Sequence, residues 1–238
     1  MKRKSAFFLF FCLLALPSFS PGQARSAQEI LTRCAKNYEG ISDYVVDLQA
    51  DLDMERVRMP SMKATMYFKA PDKIHFESPN FALLPREGFG MPAATLLQQF
   101  DPALKGEDTA GGAQAYKLQL VAKDPASRLQ QLFVWVRQSD FSITRIETVP
   151  YQGRSVKMQF DYVFVDGKYL LPRTLRVEFT PSEKDTAQGG PEITGLGDNR
   201  IQEMRRTVRK GTMTVAFSNY RVNTGLSDEL FKPKETEK

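Results

Sequence analysis

The stretch SVKMQFDYVFVDGKYLLPRTLRVEF, residues 155–179, decides the fold class. Val156, Met158, Phe160, Tyr162 and Phe164 alternate with Ser155, Lys157, Gln159 and Asp161, a period of two that puts the apolar set on one face of a strand. Asp166-Gly167 supplies the positive φ that a type I′ turn requires at both central positions. The return strand carries Leu171, Leu175, Val177 and Phe179 on one face and Thr174, Arg176 and Glu178 on the other. Pro172 puts its start at an edge or a bulge, because proline donates nothing to the ladder. A lone hairpin is unstable in water, so its apolar face needs a cover, and the rest of the chain reads as more of the same sheet.

Tyr44–Met54 is the cleanest of the other strands, with Tyr44, Val46, Leu48, Ala50, Leu52 and Met54 on one face and Asp47, Gln49, Asp51 and Asp53 on the other. Calcium loops need carbonyl ligands and a glycine-permitted turn. These aspartates have neither and read as a solvated strand face. Met62, Ala64, Met66 and Phe68 continue the pattern, and after the turn at Ala70-Pro71-Asp72 so do Ile74 and Phe76. Tyr116–Ala122, Leu132–Arg137, Phe141–Val149 and Thr212–Val222 follow; Leu132–Arg137 is apolar on both faces and holds the only tryptophan, Trp135. Ser26-Ala27-Gln28-Glu29 matches a capping box, opening a helix over Ala27–Asn37 whose apolar stripe is Ile30, Leu31, Cys34 and Tyr38. Leu226–Phe231 reads as a short helical turn.

Asn80–Ala113 breaks the alternation. Pro92–Phe100 reads as a short helix begun by its proline, the rest as an apolar loop, and Gly106–Gly112 as flexible. Loops are seldom this apolar, so Phe81–Phe100 is either a plug for the core or a movable cover on an apolar pocket. Pro181–Arg200 reads as a long exposed loop.

The first 24 of the 238 residues resemble a secretory signal: Lys2, Arg3 and Lys4, then an apolar run from Ala6 to Leu16 too short to span a membrane, then small residues up to Ala24. The division expected is a leader over 1–24, one domain over 25–231 and a disordered tail over 232–238. Three positive charges of the formal +5 lie in the leader, so the basic balance does not indicate nucleic acid. Cleavage removes Cys12 and leaves Cys34 unpaired. An exported chain without disulfides points to a bacterial periplasm.

No nucleophile elbow, phosphate-binding glycine loop, zinc spacing or dinucleotide fingerprint occurs. His75, the only histidine, lies on a polar strand face, and Cys34 on a buried helix stripe. No carboxylate pair stands out. The sequence therefore predicts no enzyme, metal or cofactor.

The helix, Tyr38-Glu39-Gly40-Ile41-Ser42-Asp43-Tyr44, Tyr67-Phe68-Lys69-Ala70-Pro71-Asp72-Lys73-Ile74-His75-Phe76, Ser142-Ile143-Thr144-Arg145-Ile146 and Val215-Ala216-Phe217-Ser218-Asn219-Tyr220 with Asn223 and Leu230-Phe231 together resemble the outer-membrane lipoprotein-sorting (LolA-like) carriers. The resemblance covers most of the chain after the leader. It implies a mainly β (α+β) fold: an unclosed, strongly curved antiparallel barrel with an N-terminal helix and a helical or loop lid over an apolar concave face. It also implies acyl chains as cargo, an inner-membrane transporter as donor and an outer-membrane acceptor. Two departures stand out. The carriers' lid-latching arginine before the proline is absent, Ala70 preceding Pro71 with Lys69 one place earlier. The long apolar Phe81–Phe100 segment replaces a short turn.

The expected function is a soluble periplasmic carrier of lipoprotein or lipid acyl chains. The alternative is a sensor or assembly module of the same fold with a protein partner. The lining expected is Leu48, Leu52, Met66, Phe68, Ile74, Phe76, Met158 and Phe160 from the sheet, with Phe81, Leu84, Leu96 and Leu97 from the cover; each also reads as closed core.

Overall fold

The computed structural model describes residues 25–54, 57–58, 60–78, 93–127, 129–148, 155–180 and 211–232. The leader, Phe81, Leu84, the loop at Pro181–Arg200 and the tail over 233–238 lie outside the described residues.

Helix α1 spans Ala27–Lys36. Ser26 and Glu29 form the expected capping box, each side chain accepting the other's backbone N–H, and Ala27, Ile30, Leu31 and Cys34 are buried. Gly40, at φ +81°, turns the chain out of the helix into the sheet. The strands are β1 (Asp43–Met54), β2 (Val57–Arg58), β3 (Met62–Lys69), β4 (Lys73–Glu77), β5 (Phe100–Ala110), β6 (Ala113–Ala122), β7 (Gln131–Arg137), β8 (Ile143–Thr148), β9 (Ser155–Val165), β10 (Tyr169–Thr180) and β11 (Gly211–Val222), with α2 (Ala93–Gln99) before β5. All belong to one sheet ordered β4-β3-β1-β11-β10-β9-β8-β7-β6-β5, with β2 added beside β1. Every pairing is antiparallel. The sheet is unclosed, with β4 and β5 as its edges. It curves until Met66 of β3 and Leu118 of β6, near opposite ends, join one apolar cluster with Ile30 and Leu31 of α1 and Leu96 of α2.

The central hairpin forms as read. Asp166 and Gly167 take φ of +52° and +64°, and a bulge interrupts β10 between Pro172 and Thr174. β10 lies inside the sheet, between β9 and β11, so the bulge alone accommodates the proline. Phe164 departs from its expected inward place and is 63% exposed, as Val163 is at 38%. The hairpin tip is solvated on both faces, and alternation there defines no inside.

Gly106–Gly112 is a second correction. Most of it belongs to strand β5, paired with β6 through a bulge at Leu104/Gly106, and only Gly111 and Gly112 (φ +60° and +77°) form the turn. β5 lies at the sheet edge with most positions exposed, so no face of it needed an apolar alternation, and the edge tolerates Pro102. The short helix expected at Pro92–Phe100 is present as α2.

Two of the three strand-face aspartates are hydrogen-bonded to neighbouring side chains. Asp47 accepts from Asn219 Nδ2 at 3.0 Å, and Asp51 from Ser61. Trp135 lies on the outer face, where Nε1 donates to Asp108 at 2.9 Å and the Arg145 guanidinium stacks 4.2 Å above the ring. Lys69 donates to the Leu226 carbonyl at 2.7 Å and pairs with Asp228 at 2.9 Å. Lys73 reaches the same carboxylate, and the two ammonium groups hold the Asp228 carboxyl down at about 2. Lys69 thus fastens the C-terminal 3₁₀ turn (Asp228–Phe231) to the β3–β4 hairpin.

Asp43 anchors that same C-terminal segment. Its buried carboxylate accepts from Thr224 N and Oγ1 (2.7 and 2.9 Å), Gly225 N (3.0 Å) and Leu226 N (3.2 Å). Burial alone would raise its pKa, but these hydrogen bonds outweigh burial and hold it below the ordinary value. A depressed folded pKa gives stability that is present above the ordinary aspartate pKa and lost as pH falls through the folded one. Asp43→Ala should cost about 2 kcal/mol at pH 7 by denaturant unfolding, since it strands three backbone donors. The gap from wild type should narrow in acid. A variant with the wild-type midpoint at pH 7 would contradict this role.

Candidate ligand-binding cavity

Helices α1 and α2 lie on the concave face of the sheet, and beside them the packing leaves an apolar cavity of about 50 Å³. Its walls come from four places. The C-terminal turn of α1 and the residues after it give Cys34, Asn37 and Tyr38; α2 gives Ala93. The β7–β8 turn and β8 give Phe141, Ser142, Ile143 and Ile146. β9 and β10 give Phe160, Tyr162, Leu170 and Pro172. Cys34 lies in the last turn of α1 and Tyr38 in the turn that follows it, while Phe160 and Tyr162 share one face of their strand.

The polar groups of this wall are mostly bonded to the protein itself. Tyr162 Oη donates to the Ile143 carbonyl at 2.8 Å, Asn37 Nδ2 to the Asp140 carbonyl at 3.0 Å and Ser142 Oγ to the Asp140 carboxylate at 2.6 Å. Arg137 takes the other Asp140 oxygen at 2.8 Å. Burial would raise the Asp140 carboxyl, but the Ser142 and Arg137 contacts hold it below its usual value. Burial pushes the Cys34 thiol and the Tyr38 hydroxyl each up to about 12, and the Tyr162 hydroxyl well above its ordinary value. At pH 7 all three are neutral. The surface facing the cavity is largely hydrocarbon, with most of its polar groups bonded within the protein, suited to an apolar ligand and not to nucleophilic attack.

Of the residues expected to line a pocket, Phe160 does so. Leu48, Met66, Phe68, Met158 and Leu96 are at most 5% exposed in the main apolar cluster, with Leu52, Ile74, Phe76 and Leu97 packed partly buried against it. Ile74 also borders a broader, open groove with Lys73, Asp228, Phe231 and Lys232. Leu48, Met66, Phe68 and Leu96 therefore form one continuous layer with the cavity but do not face it. Sequence reasoning missed Tyr38, Phe141, Ile143, Ile146, Leu170 and Pro172 as lining. Tyr38 and Tyr162 were legible as members of apolar stripes. That α1 would lie over β8, β9 and β10 depends on strand order, which no local pattern encodes.

Among the described residues, no group of acidic, cysteine or histidine side chains could hold a metal ion, and no helix is long and apolar enough to cross a membrane.

No family model matches the chain, and no curated protein does. Solved structures match along nearly its whole length. A DUF1329 family protein from Desulfovibrio piger is 14% identical with a TM-score of 0.58, covering 87% of this chain and 95% of its own. A putative outer membrane lipoprotein-sorting protein domain from Vibrio parahaemolyticus is 14% identical with a TM-score of 0.58, covering 86% and 95%. A LolA superfamily protein from Nitrosomonas europaea is 13% identical with a TM-score of 0.56, covering 88% and 99%. The chain has the LolA-like fold.

The buried thiol gives a direct probe of the cavity. With Cys12→Ser as background, Cys34 should react with a neutral disulfide reagent at pH 8 roughly a thousandfold more slowly than a free thiol, because so little thiolate forms below its pKa. Denaturant should restore the ordinary rate. Free-thiol reactivity in the folded chain would contradict the placement of Cys34.

Proposed function

We propose that this protein binds the acyl chains of lipids or lipoproteins between its helical cover and the concave face of the sheet, and carries them through the periplasm toward the outer membrane. The observation that carries the reading is the apolar cavity on the concave face, walled by α1, α2, β8, β9 and β10. The likeness in fold to a putative outer membrane lipoprotein-sorting protein domain and the leader-like residues 1–24 support it.

At about 50 Å³ the cavity is smaller than the roughly 150 Å³ that takes up a benzene ring. An acyl chain must therefore displace part of the cover. Helix α2 has only seven residues and buries Ala93 and Leu96, so lifting it costs on the order of 5 kcal/mol with half-buried Leu97 included. A chain of about a dozen methylenes returns roughly 10 kcal/mol at about 0.8 each. The balance favours uptake yet stays small enough for release to a membrane. The methionines of the inner layer, Met62, Met66, Met158 and Met213, adapt to an irregular guest better than branched side chains.

A fluorescent or tritiated fatty-acyl probe should bind the chain saturably in the micromolar range. Phe160→Asp should weaken binding at least tenfold, while Val121→Asp, on an exposed position of β6, should leave it unchanged. Both variants are checked by circular dichroism. Absence of saturable acyl binding by the wild-type chain overturns the reading.

A further inference from the structure

The cavity has a charged margin that its apolar walls do not explain. Phe141, one of the lining residues, is held at φ +56° in the β7–β8 turn, a left-handed conformation unusual for an aromatic residue. The turn is fixed by the Phe141 N–H bond to the Arg137 carbonyl at 3.0 Å and by the Asp140 bonds already described. The result is an aromatic ring standing beside α1. Two guanidinium groups lie on that ring, Arg25 at 5.3 Å and Arg33 at 5.0 Å from its centroid, and Tyr116 stacks on it from β6.

Both arginines are exposed. Neither has a carboxylate partner among the described residues: Arg25 donates one N–H to the Tyr116 hydroxyl at 3.1 Å, and Arg33 has only its contact with the ring. Of the acids on α1 and the β7–β8 turn, only Asp140 is neutralised. Asp140 is paired with Arg137 and Ser142; Glu29, one turn before Arg33, holds the Ser26 N–H and keeps its charge. Arg33 also stands four residues before Asn37, a cavity residue, and so on the same side of α1. A guanidinium stacked on an aromatic face keeps its in-plane N–H donors free, and that fork matches the paired oxygens of a phosphate or carboxylate. Two such forks, without a direct carboxylate partner among the described residues and held at the margin of a largely hydrocarbon cavity, fit an amphiphile with an anionic head and an apolar tail.

We propose that Arg25 and Arg33, braced on Phe141, form a headgroup seat that selects anionic amphiphiles, those with a phosphate or carboxylate group next to the acyl chain. The inference rests on the acyl-binding reading above and adds its headgroup preference.

Titration calorimetry on the full chain with dodecyl phosphate, dodecyl maltoside and inorganic phosphate separates the possibilities. Dodecyl phosphate should bind at least tenfold more tightly than dodecyl maltoside, and this preference should shrink as salt rises. Arg25→Gln with Arg33→Gln should remove the preference by weakening dodecyl phosphate about tenfold or more, while leaving dodecyl maltoside unchanged. That unchanged affinity also reports that the variant folds. Equal binding of the two amphiphiles, or a double variant that keeps the preference, overturns the seat and leaves acyl binding standing. Inorganic phosphate binding as tightly as dodecyl phosphate overturns it as a lipid seat and marks a plain anion site. Failure of both amphiphiles to bind the wild-type chain overturns the acyl reading and the seat with it.

Discussion

A curved sheet whose two edges never meet has an inner face that strands alone cannot seal, and every other feature of this molecule answers that constraint. Most of the buried apolar residues of β1, β3, β6, β7, β9, β10 and β11 turn to the same concave side, where exposure of so much hydrocarbon to water is unfavourable. Helices α1 and α2 cover it. The capping box that starts α1 and the glycine that ends it fix where the helix begins and where the chain re-enters the sheet. The far end of the chain is fastened to the same region, through the Asp43 hydrogen bonds to residues 224–226 and the Lys69 and Lys73 contacts with Asp228.

In the proposed reading, covering a broad concave face with helices of ten and seven residues is also what would let hydrocarbon in. A long helix bundle would bury enough area to lock the face shut. Short helices hold through a few side chains, so on that reading a hydrocarbon guest displaces part of the cover at a moderate net gain. The cavity beside them is small and largely apolar, and its margin carries two guanidinium groups without a carboxylate partner among the described residues. In the proposed reading these features fit together as a seat for an amphiphile: a hydrocarbon side, a cover that yields, and cations near the mouth.

Much of the fold was legible because its signals are local. The period-two runs of residues 155–164 and 44–54, the Asp166-Gly167 turn and the Ser26–Glu29 box each carry their physical cause within a few residues. Pro172 announced an edge or a bulge, and the bulge is what forms. Strand β5 was missed because an edge exposed to water on both faces needs no apolar alternation, and its glycines and proline read as loop. Phe164 was placed inside because alternation continues to the hairpin tip, beyond where packing gives it meaning. The cavity was the least legible part. Phe160 was identified from its strand face, but Phe141, Ile146 and Leu170 meet it only because strands distant in sequence lie beneath α1. The arginines at the margin carry no pattern of their own and become meaningful only through the ring they share.

The central claim is that hydrocarbon enters between the helices and the concave face. Photo-cross-linking with a diazirine-bearing acyl chain, followed by peptide mapping, tests it most directly. Adducts should concentrate on α1, α2 and the inner positions of β8 and β9, Ile146, Phe160 and Tyr162 foremost, and should be competed away by unlabelled lipid. Adducts confined to the outer face or the sheet edges, or insensitive to competition, would contradict the account.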